Sequence, residues 1–185
     1  MFIIKKNYYF YIDNIKLFNL NLVKKNLNIT IIYRNNSKKR DLISEIINFK
    51  KKLSSKKISF YVANDLQLAK KCKADGLYIS AYNKKFYNNI KVIGAAHNFK
   101  DIFQRKIQQC KTIILSRLFE VNKDKKKGFF DVIKFNLITQ KYRINIVPLG
   151  GINQKNLLKL NLLKSDGLAM LSEIKKKPAI SSRLF

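Results

Sequence analysis

Short apolar runs recur along the whole chain, at Tyr8–Ile12, Ile29–Tyr33, Ile58–Val62, Leu77–Ile79, Val92–Ala95, Thr112–Leu115, Asn145–Leu149 and Leu168–Leu171. Most are continuous rather than strictly alternating, which is the pattern of strands buried on both faces of a parallel sheet. Helical spacing fills several of the intervals. Lys38–Lys52 puts Leu42, Ile46 and Phe49 on one face, and Asp65–Cys72 carries Leu66, Leu68 and Ala69. Asn98–Gln109 carries Phe99, Ile102, Phe103 and Ile107. Asn153 is placed to cap a helix running to about Lys164, with Leu157, Leu158 and Leu160 inward. Strands alternating with helices form βαβ units. The pattern predicts an α/β fold, a small (β/α)8 TIM barrel, with residues 1–185 as a single domain.

Eight units in 185 residues are tight against the ~250 typical of such barrels, so several helices must be a turn or two long. The fourth interval, Ser80–Lys91, and the tail Glu173–Phe185 are the shortest. One junction repeats: Lys73-Ala74-Asp75-Gly76-Leu77 resembles Lys164-Ser165-Asp166-Gly167-Leu168. In each, a helix ends, an Asp-Gly turn follows and an apolar strand begins. Glycine there is expected to supply a left-handed or otherwise strained backbone.

Composition adds little to the fold but limits the function. Cys72 and Cys110 are too few for a disulfide scaffold, and with a single His they do not suit a structural zinc site. No apolar run approaches the ~20 residues of a membrane span, and Met1–Lys6 lacks the form of a signal peptide. A cytoplasmic protein without membrane contact is the expectation. The net charge of +28 would attract polyanions without regard to sequence. Yet 33 of the cations are Lys and six are Arg, scattered along a chain also rich in Asn and Ile. A/T-rich codons account for that excess, so no specific nucleic-acid partner is expected.

Candidate chemistry lies at the strand ends. Val147-Pro148-Leu149-Gly150-Gly151-Ile152-Asn153 precedes a helix, and its glycine N–H groups with the helix N-terminus suit a phosphate. Leu171 and Ser172, at the end of the eighth run, can add N–H donors to the same anion, between the seventh and eighth strands where barrels often hold one. The other reading of the glycines is a tight turn. Asp65 either holds a divalent metal or caps the helix it opens. Arg34, at a strand tip, is a phosphate clamp or a surface cation. His97, the only histidine, follows Val92-Ile93-Gly94-Ala95-Ala96; it is a proton shuttle or a structural residue. Gly94 and its neighbours leave room for a ligand or for close packing. The polar stretch Val121–Gly128 follows the sixth strand, where a catalytic-face loop or a plain solvated loop would lie.

In order and spacing these pieces resemble the thiamin phosphate synthase/TenI family. The resemblance is carried by Tyr33-Arg34, Ala63-Asn64-Asp65, Ala74-Asp75-Gly76-Leu77-Tyr78-Ile79 and Ile93-Gly94-Ala95-Ala96-His97. It continues through Leu115-Ser116-Arg117-Leu118-Phe119-Glu120, Leu149-Gly150-Gly151-Ile152 and Ser165-Asp166-Gly167-Leu168-Ala169. It implies a barrel that joins a hydroxymethylpyrimidine diphosphate to a thiazole phosphate with Mg2+, or a TenI-type thiazole tautomerase. It further implies that Asn64 contacts pyrimidine, Asp65 metal and Arg34 diphosphate, and that Gly150, Gly151, Leu171 and Ser172 cradle the thiazole phosphate. The departures bear on the reaction. Ile32 and Asn36 stand where synthases have Gln and Lys, and Asn83, beside Lys84, stands near the second metal carboxylate. Ala95 or Ala96 replaces a Ser, and the loop Lys residues Lys123, Lys125 and Lys126 lack the accompanying Thr. His97 lies one residue nearer the Gly than the family's His. Fewer cations and carboxylates weaken diphosphate displacement. The retained His97 and the run Phe119-Glu120…Lys-Lys-Gly128 point to the TenI-like branch, with thiazole phosphate as ligand and no cofactor. An active synthase using pyrimidine diphosphate and Mg2+ is the alternative, and a basic nucleic-acid-binding or non-catalytic barrel is the second.

Overall fold

Eight parallel strands close on themselves in chain order in the computed structural model, which describes residues 5–18, 28–35, 41–121 and 128–170. They are β1 (Asn7–Ile12), β2 (Asn28–Tyr33), β3 (Ser59–Ala63), β4 (Gly76–Ile79), β5 (Val92–Ala96), β6 (Thr112–Ser116), β7 (Asn145–Leu149) and β8 (Gly167–Met170). The expected barrel is therefore the observed one, with each strand within about a residue of its apolar run. The ladder is shut by β1 against β8, with Tyr8 opposite Leu168 and Phe10 opposite Met170.

Alternation along each strand sorts the side chains into two shells. Tyr9, Tyr11, Ile32, Tyr78, Ile93, Ile114 and Val147 point into the barrel, while Tyr8, Phe10, Ile31, Phe60, Leu77 and Ile113 point out under the helices. Both shells are apolar, which is why the strands read as continuous apolar runs.

The outer layer comprises α1 (Ile43–Ser55), α2 (Leu66–Lys71), α3 (Phe99–Ile107), α4 (Asp131–Tyr142) and a 3₁₀ helix, Gln154–Leu162. Its 3.0-residue period explains one departure from expectation: Leu157 and Leu160 are buried together with Leu163, whereas Leu158 faces solvent. On α3 the inner positions are Ile102 and Arg105, and the outer ones are the exposed Phe99, Phe103 and Ile107. Helix α4 has no sequence-level start signal, because its N-cap is Phe130 and makes no side-chain cap. Its first residues are instead pinned to the β6 end, by Phe130 N to Arg117 O at 2.9 Å and Asp131 N to Leu118 O at 2.8 Å.

Two glycine expectations are corrected in kind. Gly76 and Gly167 are not left-handed; Gly150 and Gly151 are the glycines at positive φ. Gly76 is needed for space, since a Cβ there would meet the Tyr61 ring and lie 2.5 Å from Lys91 O. Gly94 likewise serves close packing: a Cβ would press on the Arg105 stem and sit 2.9 Å from Cys110 Sγ. Arg105 is fully buried, and its Nη2 donates to Ala81 O at 3.0 Å. Gln108 donates to Asn83 O and Lys85 O at 3.1 and 2.7 Å. Together they fasten the Ser80–Lys91 connection, which carries no helix among the described residues.

The left-handed turns fall on other residues. Lys57, Lys73 and Gln109 follow α1, α2 and α3 at φ of 57, 50 and 56°. In each case the next N–H reaches back five residues, from Ile58 to Leu53 O, Ala74 to Ala69 O and Cys110 to Arg105 O. That is the Schellman ending, which favours glycine at the left-handed position. A side chain there costs roughly 1 kcal/mol. Lys57→Gly, Lys73→Gly and Gln109→Gly are each expected to stabilise the fold by about 0.5–1 kcal/mol, and the three to add, because each turn closes on its own helix. Urea denaturation of the single and triple variants checks this, and a lowered midpoint would refute it.

Candidate functional site

At the carboxyl ends of the strands a cavity of about 390 Å³ opens, lined by Tyr11, Arg34, Tyr78, His97, Ser116, Arg117 and Gly150 among others. The barrel brings Arg34, His97 and Gly150 together as the strand-end reading implied. It also adds Tyr11, Tyr78, Ser116 and Arg117, which that reading did not single out.

The floor is aromatic. Tyr11 and Tyr78 project inward from β1 and β4, and their rings meet edge to face at 5.4 Å. Burial is the main cause that holds Tyr11 well above the usual tyrosine range, and burial also raises Tyr78. Both therefore remain neutral hydroxyls. Tyr78 lies close enough to add to the Tyr11 shift, but not in a geometry that satisfies the Tyr11 hydroxyl, which is buried without a hydrogen-bond partner among the described residues.

Arg34 follows β2, with its guanidinium 5.3 Å from the centre of the Tyr11 ring. Its Nε and Nη2 donate to the two Asp13 oxygens at 2.9 and 3.2 Å. Two donors are thus committed and the local charge is largely balanced. That fork fixes the orientation of Arg34, and among the described residues Nη1 meets no hydrogen-bond partner.

His97 directly follows β5. Its main-chain N–H donates to the Asp101 carboxylate at 2.8 Å, and its Nδ1 lies 2.7 Å from Ser116 Oγ. Asp101 N in turn donates to the Asn98 side chain that caps α3, at 2.8 Å. Ser116 ends β6 two residues after the inward-facing Ile114, so strand alternation places it in the cavity. That two-residue step was the available signal for it.

Gly150 follows β7 at φ 96°, and a Cβ there would lie 3.8 Å from the Arg117 side chain. Gly151, at φ 73°, is not on the cavity wall. A Cβ on it would strike the Phe119 carbonyl and lie 2.8 Å from Glu120 O. Gly150 is thus the cavity-facing glycine and Gly151 a packing one. Leu171 and Ser172 lie outside the described residues, as do Asn36, Lys123, Lys125 and Lys126.

Asn64 and Asp65 are on the rim rather than in the cavity. Asn64 adopts φ 57°, and its Oδ1 accepts from Ser80 N, Ser80 Oγ and Asn83 Nδ2 at 3.0, 3.1 and 3.1 Å. Asp65 Oδ1 accepts from Leu68 N at 2.8 Å, so it caps α2. It lines a separate cleft of about 250 Å³ with Asn35, Asp41 and Lys71. Mg2+ requires near-octahedral oxygen ligation. Asn64 Oδ1 is saturated by its three donors, and Asn83 Oδ1 is taken by Lys85 N at 2.9 Å. Among the described residues no three His, Cys, Asp or Glu side chains converge. The described donors around Asp65 do not fit a bound Mg2+.

Residues 14–174 match the family model described as thiamine monophosphate synthase. A thiamine-phosphate synthase of Clostridioides difficile (strain 630) is 27% identical over 136 residues, 69% of this chain and 64% of that protein. The chain thus spans slightly under two thirds of that relative's length. Among solved structures, a thiamine phosphate pyrophosphorylase from Pyrococcus furiosus superposes with a TM-score of 0.76 at 13% identity, covering 97% of this chain and 91% of that one. A 3-hexulose-6-phosphate synthase gives a TM-score of 0.65 at 13% identity, covering 96% of each chain. At such identities the superpositions establish the barrel alone.

The rim network has a measurable consequence. Asn64→Ala removes an acceptor of three donors and leaves a side chain in the left-handed region, at a cost of about 1–2 kcal/mol. Asn64→Asp keeps an acceptor oxygen, so its loss of stability should be well under half as large. Chemical denaturation of the two variants decides the matter, and equal losses would mean that the network carries no weight.

Proposed function

The chain belongs to the thiamine monophosphate synthase family, and on that premise we propose that it acts on a thiazole phosphate as a TenI-like tautomerase rather than as an efficient synthase. The observation that carries this reading is the cavity itself. One proton-transfer group, His97, stands with Ser116, Arg117 and the Gly150 turn, while the residues matched to metal and pyrimidine lie on the rim.

The roles follow from chemistry. The phosphate takes the Gly150 turn and the Arg117 guanidinium, whose planar fork suits it. The ring lies towards Tyr11 and Tyr78, whose aromatic rings give it an apolar seat. His97 then removes a proton from one ring position and returns one to another. Such a shift has no leaving group and needs no cation to neutralise one. Condensation with a pyrimidine diphosphate does, and here Arg34 is shared with Asp13 and Asn83 is a neutral amide. The synthase alternative is supported by the name of the Clostridioides difficile relative.

Calorimetry with thiazole phosphate, pyrimidine diphosphate and thiamin phosphate, each with and without Mg2+, separates these readings. Metal-independent binding of thiazole phosphate is expected, and Arg117→Ala should weaken it about 10–100-fold, the value of a charge-assisted hydrogen bond. Robust Mg2+-dependent condensation would overturn the branch assignment. For turnover, His97→Asn should keep ligand affinity and lose at least ~100-fold in rate, the lower end of general acid–base contributions. An undiminished rate would remove His97 from the reaction.

A further inference from the structure

A short side-chain contact in the cavity wall joins two strand ends that are far apart in the chain, Ser116 Oγ and His97 Nδ1 at 2.7 Å. The imidazole is held from both sides. Its main chain is tied through Asp101 to the capped start of α3, and its ring to the last residue of β6. Ser116 is itself fixed in the ladder opposite Leu149, which also lines the cavity. The other ring nitrogen, Nε2, meets no hydrogen-bond partner among the described residues.

We propose that Ser116 is the positioning residue of this site: its hydroxyl accepts the Nδ1–H of His97, so that Nε2 presents a lone pair to the bound ligand. The inference rests on the tautomerase reading for its use but not for its geometry. The use sets the direction of the bond: a proton can be taken only at an unprotonated nitrogen, and a neutral imidazole whose Nδ1–H is bound to Ser116 Oγ has Nε2 as its base. The step then balances without any other reactant. The ligand C–H bond breaks, its electron pair enters the conjugated ring system and the proton goes to Nε2. The imidazolium keeps Nδ1–H on Ser116 Oγ and returns the Nε2 proton to a second ligand atom. No electron leaves the pair of molecules and no net proton is taken up. A hydroxyl suits this better than a carboxylate, which would hold the imidazolium as an ion pair and resist the return.

Because His97 is the only histidine, its ring nitrogens give one unambiguous pair of ¹⁵N resonances. In the ligand-free protein, at a pH where the imidazole is neutral, the wild type should show the Nδ1–H form as the main tautomer. Ser116→Ala should move the population towards Nε2–H, and Ser116→Thr, which keeps the hydroxyl, should restore it. In turnover of the thiazole phosphate tautomer, Ser116→Ala should lower kcat about 10–100-fold with KM nearly constant, comparable to losing the partner that orients a ligating His. A wild-type spectrum dominated by Nε2–H, or one unchanged in Ser116→Ala, overturns the positioning role. A tautomer that responds as expected in a protein that does not turn over thiazole overturns the reaction assignment and supports the pair.

Discussion

A closed ladder of eight short strands encloses a fixed space, and the side chains pointing inward must fill it. Here the filling is uneven. Tyr9, Tyr11, Tyr61 and Tyr78 come from β1, β3 and β4, while Ala95 and Ala169 come from β5 and β8. Large residues are thus balanced by small ones on strands beside them, Ala169 lying opposite Tyr9 in the ladder, as a jigsaw interior requires. The rest of the molecule depends on this asymmetry. The rings fill the lower barrel, and the small residues leave the cavity open at the top, beside His97 and Ser116. The cavity floor is accordingly apolar, and the polar groups that edge it come from the strand ends, on His97, Ser116 and Arg117.

The outer layer serves the same end by different means. Helices α1 to α3 end in backbone turns that cross into the next strand through a left-handed residue. Each helix is thereby delivered to its strand without a long loop. This economy lets eight units fit a short chain, and it holds the strand tips at one level, where their side chains meet. The rim amides of Asn64 and Asn83 with Ser80 then join the β3 and β4 ends to each other.

Strand positions were legible because burial on both faces leaves an unbroken apolar run, and such runs have few other causes. Helix α4 was not legible. Its apolar residues lie at positions 132, 133, 135, 137 and 138, on more than one face, and its start is fixed by main-chain contacts with Arg117 and Leu118 that leave no local signature. The outward Leu158 was misplaced because an α-helical period was applied to a 3₁₀ turn. That Arg34, His97 and Gly150 come together was legible because strand tips of a barrel share one face. The division between Gly150 and Gly151 was not, since it depends on which glycine meets the Phe119 carbonyl. Ser116 and Arg117 were visible as letters of a strand end, but their partners are distant in sequence.

The buried Arg105 ties its own position to another. Its stem occupies the volume where any residue but glycine at position 94 would place a Cβ, and its guanidinium holds Ala81 O on the connection before β5. Positions 94 and 105 are therefore not independent characters. A side chain at 94 needs room from both Arg105 and Cys110, and a shorter residue at 105 releases the connection that carries Tyr82 and Asn83 to the cavity rim. A change at either position that preserves the cavity has to be met by a change elsewhere in this set.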